Sequence, residues 1–404
     1  MSEPTFTYRS ILMRKQMQAV SGAQFIRVLA RSQIWIFIPV YLTRVRGLPV
    51  YFSGILFLLT AIIALPFSVY GGNLVDTIGR RKVSLAIPLF LFVLMIITAF
   101  SVLYRAGIIS IVIEFLSIEP ISVIQWIADN AIVSDVTGIG ERTGSFGILR
   151  IAGNLGFSAG PAIGGFLADY SYSYIFFFGA AGAIVELLLY YFLVNETGKL
   201  RKGSGRFSMP LADRYFVIVA IMIGVTYFVS GQWGTTLTLF LSVVYRVSNN
   251  MIGILYSING ITVILLQMPI IRVIEKINGF WQLALGTIVY GLGFFVLALT
   301  HNFVLLGIDI VFITIGENIL APVTNSIISK IAPEDRRGEY FGSAQLISGF
   351  IAPLAPVLGT FLIYKNPSDP LMIWTPVLII AIFASVSITI AGSMLMRSIG
   401  KRTG

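Results

Sequence analysis

The sequence predicts an all-α polytopic membrane protein with 12 transmembrane helices in two pseudo-symmetric six-helix bundles, and three observations predict it. Of 404 residues 56% are apolar and 11% charged, with a mean hydropathy of +0.89. A soluble domain carries about a quarter charged residues, so this chain cannot build a water-facing surface. Twelve apolar stretches are long enough to cross a bilayer, and the second half of the chain repeats the first at a fixed offset. The same composition excludes a cytosolic enzyme, a nucleic-acid-binding module and a disordered chain.

A hydrocarbon core of ~30 Å takes about 20 helical residues to cross. Residues 1–19 hold Arg9, Arg14 and Lys15 and no apolar run with a cleavage site, so they read as a cytoplasmic segment and not as a signal peptide. The first bundle, 20–194, holds spans 20–43, 48–70, 83–104, 107–131, 143–168 and 173–194. A polar linker, 195–212, follows; its Lys199, Arg201, Lys202, Gly203, Ser204, Gly205 and Arg206 give it the composition of a solvated connection. The second bundle, 213–396, holds spans 213–243, 249–271, 280–300, 303–329, 338–363 and 371–396, and 397–404 is a cytoplasmic tail. Each span must be a helix, because only a helix satisfies every backbone group within one lipid-exposed segment.

With both termini in the cytoplasm, 20 of the 28 Lys and Arg fall on the inner side and five on the outer: Arg44, Arg46, Arg105, Arg246 and Lys365. Arg27, Arg31 and Arg150 lie within spans. The bias sets the orientation by the positive-inside rule, so the net charge of +10 calls for no nucleic-acid partner. The expected location is the plasma membrane.

At an offset of 195 the halves align without a gap from Glu114/Asp309 to Leu167/Leu362. The matches include Asn130/Asn325, Ser134/Ser329, Arg142/Arg337, Gly147/Gly342, Pro161/Pro356 and Gly164/Gly359. Matched Asn, Arg and Pro are not the chance product of an apolar composition. Two parallel six-helix repeats place a cavity near the midplane between them.

After span 2 stands Gly72-Asn73-Leu74-Val75-Asp76-Thr77-Ile78-Gly79-Arg80-Arg81-Lys82, in which the glycines suit a tight turn and the cations fix the loop inside. Here the sequence resembles the major facilitator superfamily, whose signature between helices 2 and 3 is G-x-L-x-D-x-x-G-R-R-K. Arg272, Glu275, Lys276 and Gly279 are its remnants in the second half. The resemblance implies the major facilitator fold and a motif, carried here by Gly72, Asp76, Gly79, Arg80 and Arg81, that gates the cytoplasmic side.

Span 5 carries Gly147, Gly156, Gly160, Pro161, Gly164 and Gly165, a spacing that lets a neighbouring helix approach backbone to backbone. It is similar to the family's antiporter motif, G-x8-G-x3-G-P-x2-G-G, at every position. That resemblance implies proton-coupled drug efflux.

Charges inside spans cost at least ~2.5 kcal/mol each at a helix centre, so they face partners or cavities. Span 4 contributes Glu114, Glu119 and Asp129, and span 10 contributes Asp309 and Glu317. Glu114, Ser117, Gln125 and Asp129 share one helix face within about 60°. Such acids could exchange protons for a cationic substrate. An alternative is a permanent pair between Arg27 or Arg31 and Glu119. Glu186 on span 6 stays unassigned, since family helices 3, 6, 9 and 12 are peripheral. Family antiporters often carry an Arg on helix 4 that is absent here, which keeps anionic substrates open through Arg27, Arg31 and Arg150. Trp126 and Trp233 could offer π faces to a cationic ligand.

The chain has no cysteine and one histidine, His301, and it has no nucleotide-binding loop, so no cofactor, metal or catalytic set is expected. The expected partners are a small-molecule substrate, protons and the lipid bilayer, around a monomer. The leading expectation is a secondary active exporter of small amphipathic or cationic compounds. Uptake or exchange of a metabolite anion is the second reading, and a non-transporting receptor or scaffold the third.

Overall fold

A computed structural model describes residues 11–197, 210–211, 213–333 and 336–400. The linker cations from Lys199 to Arg206, together with Arg9, Lys401 and Arg402, lie outside the described residues. Among those described there is no strand.

In chain order the helices are α1 (Lys15–Val40), α2 (Val50–Ile78), α3 (Arg80–Leu103), α4 (Ile108–Val136), α5 (Arg142–Tyr170) and α6 (Tyr172–Leu193). After the linker come α7 (Arg214–Ser230), α8 (Asn249–Ile274), α9 (Gly279–Val296), α10 (Phe303–Ile331), α11 (Arg337–Ile351, resuming as Leu354–Lys365) and α12 (Pro370–Gly400). Beyond Ser230 the seventh span continues through a 3-10 turn, Gly231–Trp233, a short helix, Thr235–Leu239, and a π-helical turn, Phe240–Val244. Eleven of the twelve are long and apolar enough to cross a membrane. The exception, α5, has 29 residues but is rich in glycine, which adds length without apolar surface.

Side chains at the first turns explain several helix starts. Asp213 accepts from the N–H groups of Tyr215 and Phe216, Asn302 from those of Val304 and Leu305, Asn278 from that of Phe280, and Asp369 from those of Leu371 and Met372. Each supplies acceptors to N–H groups that have no partner in the helix.

The chain forms two compact units. The first comprises Met1–Tyr41, Leu59–Gly205 and Ser248–Gly260, the second Leu42–Leu58, Arg206–Val247 and Ile261–Gly404. In the first, α1 packs on α4, α5 and α6, while α3 packs on α4 and α6. In the second, α7 packs on α9, α10, α11 and α12, while α9 packs on α10 and α12. Six helices on, the partner sets match except for the α7–α9 contact, which has no α1–α3 counterpart of that size.

The α1–α5 contact shows what the glycines of the fifth span do. A Cβ on Gly156 would stand 2.6 Å from the Phe25 carbonyl oxygen and 2.9 Å from the Leu29 nitrogen, and one on Gly160 would stand 2.6 Å from the Leu29 carbonyl oxygen. Backbones this close gain van der Waals contact, which lipid does not compete away as water-driven burial would be. Pro161, Gly164 and Gly165 extend the stripe: Gly164 meets Gln33, Gly165 meets the backbone of Asn249 and Asn250, and the Pro161 carbonyl faces Gly253. Gly147 is different, with nothing within 4 Å of its Cβ position, so close approach does not account for it.

One expectation is corrected here. Gly72 and Asp76 were expected in a turn after span 2, but α2 runs to Ile78 and holds both within its last turns. Only Gly79 has the conformation that favours glycine, with φ 107°, and it separates α2 from α3.

Candidate functional site

Three helices of the first unit each bring two polar side chains, four residues apart, to one place. They are Arg27 and Arg31 on α1, Gln125 and Asp129 on α4, and Glu186 and Tyr190 on α6; all six are buried. Residues at i and i+4 share a helix face, which makes each pair a single projection into the contact.

Arg27 Nη2 is hydrogen-bonded and ion-paired to Asp129 Oδ2 and donates to Tyr190 Oη at 3.0 Å. The other oxygen of Asp129 accepts from Tyr190 Oη at 2.6 Å and from Gln125 Nε2 at 3.0 Å. Arg27 Nε lies 3.1 Å from Glu186 Oε1, a charge contact without hydrogen-bond alignment, since neither atom has a hydrogen-bond partner. Arg31 Nη2 lies 3.6 Å from Glu186 Oε2, and its Nη1 donates to Ser122 Oγ at 2.9 Å. Two guanidinium groups thus face two carboxylates in surroundings where Asp129 and Glu186 are each 1% exposed. The set is neutral overall, which lowers the cost of placing four charges within apolar helices.

Glu119, one turn before Ser122 on α4, is half-buried and within electrostatic reach of Arg31. It makes no hydrogen bond or ion pair among the described residues. The pairing of Arg27 or Arg31 with Glu119 that the sequence suggested is therefore replaced by pairing with Asp129 and Glu186. Glu186, left unassigned because helix 6 was expected to be peripheral, joins both arginines. A helix on the periphery still presents one face inward.

The other candidates lie apart. Glu114 accepts from Ser101 Oγ of α3 at 2.7 Å. Trp126 is 60% exposed, and Arg150 is exposed within α5. In the second unit Asp309 is buried with its Oδ2 unpartnered, Glu317 is half-buried near Tyr290 of α9, and Trp233 is half-buried. Thr324, the counterpart of Asp129 at the offset of 195, accepts from Tyr227 Oη at 3.2 Å. The second unit thus answers the first unit's ion pairs with hydroxyls at this position.

The residues of the motif between α2 and α3 form a clasp at one end of the first unit. Arg80 pairs with Asp76 at 2.7 Å and with Asp135 at 3.2 Å. The Glu196 carboxylate accepts the backbone N–H of Arg80 at 3.0 Å and of Arg81 at 3.3 Å, placing negative charge at the α3 N-terminus. Arg81 Nε donates to the Val194 carbonyl at 2.8 Å. Beside it Arg14 grips Glu141 through two hydrogen bonds of 2.9 and 2.8 Å. Those bonds and the Gly138 N–H hold the Glu141 carboxyl below its ordinary value of 4.5.

Sequence reasoning missed Ser122, Glu186 and Tyr190. For the last two a signal was present: the i, i+4 spacing of polar residues recurs on spans 1, 4 and 6.

The chain matches the family model of the Major Facilitator Superfamily over residues 20–248 and again over 219–402. It is 24% identical to an uncharacterized MFS-type transporter, YttB, of Bacillus subtilis, over 87% of this chain and 89% of that protein. It is 25% identical to a Na(+), Li(+), K(+)/H(+) antiporter of Planococcus maritimus, over 75% and 80% of the two chains. It is 24% identical to Multidrug resistance protein 1 of Bacillus subtilis, over 64% and 67%. Among solved structures, that of the peptide transporter POT in complex with sulfate superposes with a TM-score of 0.76 at 14% identity, covering 97% of this chain and 99% of that one.

Proposed function

The chain belongs to the Major Facilitator Superfamily and is an integral membrane transporter rather than an enzyme; on that premise we propose that it exports small amphipathic or cationic compounds in exchange for protons. It works by alternating access as a monomer in the plasma membrane, with both termini cytoplasmic. The observation that carries the reading is Glu119. In the first unit Asp129 and Glu186 already neutralise Arg27 and Arg31, and Glu119 is the carboxyl beside them that no hydrogen bond or ion pair fixes.

A carboxyl so placed can hold a proton or face a cation, and the two compete for one negative charge. Loading a cationic compound requires Glu119 without its proton, and protonation from the other side releases the compound. Arg31 lies within electrostatic reach of Glu119, and Ser122 keeps Arg31 aimed at α4. The names of the Planococcus antiporter and the Bacillus resistance protein agree with exchange of cations or drugs for protons. Transport of a metabolite anion draws less support, because Arg27 and Arg31 face carboxylates rather than an open site. The inner clasp of Asp76, Arg80, Asp135 and Glu196 serves as the gate on the cytoplasmic side.

The test is flux of a lipophilic cation into proteoliposomes under an imposed pH gradient. Glu119→Gln should lower pH-driven flux at least tenfold with thermal stability unchanged. Flux equal to that of the parent would remove Glu119, and with it the proton coupling, from the reading.

A further inference from the structure

One arginine inside a span of the first unit has no counter-charge. Arg150 of α5 is exposed, and among the described residues it makes no hydrogen bond or ion pair. The acids that pair with arginine in this unit are taken elsewhere: Glu141 holds Arg14, Asp129 and Glu186 hold Arg27 and Arg31, and Asp135 holds Arg80. The helix sets the direction of Arg150. At 100° per residue it lies about 40° from Asn154 and about 20° from Phe157, but about 140° from Leu155 and about 160° from Phe166, which belong to the exposed apolar flank of α5. Gly147, about 60° away by the same spacing, has nothing within 4 Å of its Cβ position, so the Arg150 side of α5 is open. An unpaired arginine in a span turns to water or a ligand and not to hydrocarbon.

Two further donors stand beside it. Asn154 and, on α1, Gln24 are half-buried, and neither amide has a partner among the described residues. Gln24 Nε2 lies 3.1 Å from the Cβ position of Gly153, which precedes Asn154 and is one helical turn from Arg150. Phe146 and Phe157 flank Arg150 along the same face, and Phe157 is braced edge-to-face by Tyr256 with ring centroids 6.4 Å apart.

The fold does not need these donors. At the offset of 195 Arg150 meets Gln345, which is exposed but neutral, and Asn154 meets Gly349. α1 and α7 align at an offset of 199, Gln33 with Gln232 and Leu42 with Leu241, which sets Gln24 against the buried Ile223. The second unit packs α7 on α11 without any of the three. Packing therefore explains none of them.

A guanidinium fork and two amide N–H groups gathered at one open side complement a carboxylate, because the fork offers two parallel donors and each amide a further one. We propose that Arg150, Asn154 and Gln24 receive the carboxylate of an amphipathic compound whose apolar part lies along Phe146 and Phe157. This narrows the amphipathic substrates of the transport reading and rests on that reading for calling the ligand cargo. The test below reads binding and not pH-driven flux, so the two fail separately.

The chain has no cysteine, so Gly147→Cys, at the open position, supplies a single reporter thiol in the full chain purified in detergent. Anionic and cationic methanethiosulfonates are compared at constant ionic strength, each rate divided by that for a free thiol in solution. The anionic reagent should be favoured by about threefold or more, and Arg150→Gln should remove the preference. In a second arm a neutral maleimide labels the thiol while octanoate, octylammonium or octanol is titrated. Octanoate alone should protect, and saturably. Arg150→Gln should weaken that protection by about tenfold, as loss of a charge-assisted hydrogen bond implies. Asn154→Ala and Gln24→Ala should weaken it severalfold, and Arg105→Gln, on the α3–α4 connection, should leave it unchanged. If Arg150→Gln does not fold, the two amide variants carry the test. Equal normalised rates for the two reagents, no saturable protection by octanoate, or protection undiminished in the variants overturns the assignment. So does protection by phosphatidylglycerol but not octanoate, which would give Arg150 to a lipid headgroup.

Discussion

Replacing Glu186 by glutamine tests whether the charges on α1, α4 and α6 act as one balanced set. The amide fills the same volume, so packing on α1 is kept while one negative charge is lost. Arg27 retains Asp129 and Tyr190, whereas Arg31 keeps only Ser122 and the nearby Glu119. Breaking a buried ion pair from one side costs about 3–5 kcal/mol, and an arginine unpaired at a helix centre costs about 2.5–3.5 kcal/mol on insertion scales. The two ranges overlap near ~3 kcal/mol, which is more than a hundredfold in the folded-to-unfolded ratio. Unfolding of the purified protein, followed by tryptophan fluorescence, should show this loss for Glu186→Gln and for Arg31→Gln. The double variant restores neutrality, so its loss should fall short of the sum of the two by about 1–3 kcal/mol. A Glu186→Gln protein as stable as the parent, or strict additivity in the double variant, would show that Glu186 does not balance the arginines.

Gly156→Val should destabilise by about 1–3 kcal/mol through overpacking against the α1 backbone, whereas Gly147→Ala, with open space at its Cβ, should gain about 0.5–1 kcal/mol of helix stability. Equal melting of the two variants would refute the contact reading of the fifth span. At Glu141, where Arg14 and the Gly138 N–H hold the folded carboxyl below 4.5, the contribution is full above that value and disappears as pH falls through the folded one. Melting curves from pH 6 to 3 should therefore fall less steeply for Glu141→Gln than for the parent. Removing the acceptor at the α3 N-terminus with Glu196→Ala should cost about 1 kcal/mol and speed hydrogen exchange at Arg80 and Arg81, and unchanged exchange there would detach Glu196 from that role.

The spans were legible because apolarity per residue is set by the bilayer alone, and their edges follow wherever charge marks the interface. Legibility fails where backbone conformation, not composition, decides. Nothing in the residues from Gly231 to Val244 announces that the seventh span passes through a 3-10 turn, a single helical turn and a π-turn. α2 outruns its apolar stretch by eight residues because a helix, once started, continues into polar sequence until Gly79 ends it. α5 reads as a span in the sequence, although its many glycines keep it, alone of the twelve, short of the apolarity of a membrane span.

The site was half legible, and the missing half has a physical cause. Arg27 with Arg31, Gln125 with Asp129 and Glu186 with Tyr190 are each visible as polar pairs at i, i+4, but spacing says which residues share a face and not which face meets which. On α6 the answer lay in the small residues. Gly179 and Gly182, both against Ala30, stand on the same side of the helix as Glu186 and Tyr190. Where small residues let two backbones close, long polar side chains one or two turns further on must converge as well. Reading that stripe together with the acid beyond it would have joined Glu186 to α1 and left Glu119 as the unfixed carboxyl. The repeat could not have helped, because at the offset of 195 Asp129 meets Thr324, Glu119 meets Thr314 and Ser122 meets Glu317. The chain keeps its backbone symmetry and breaks its charge symmetry.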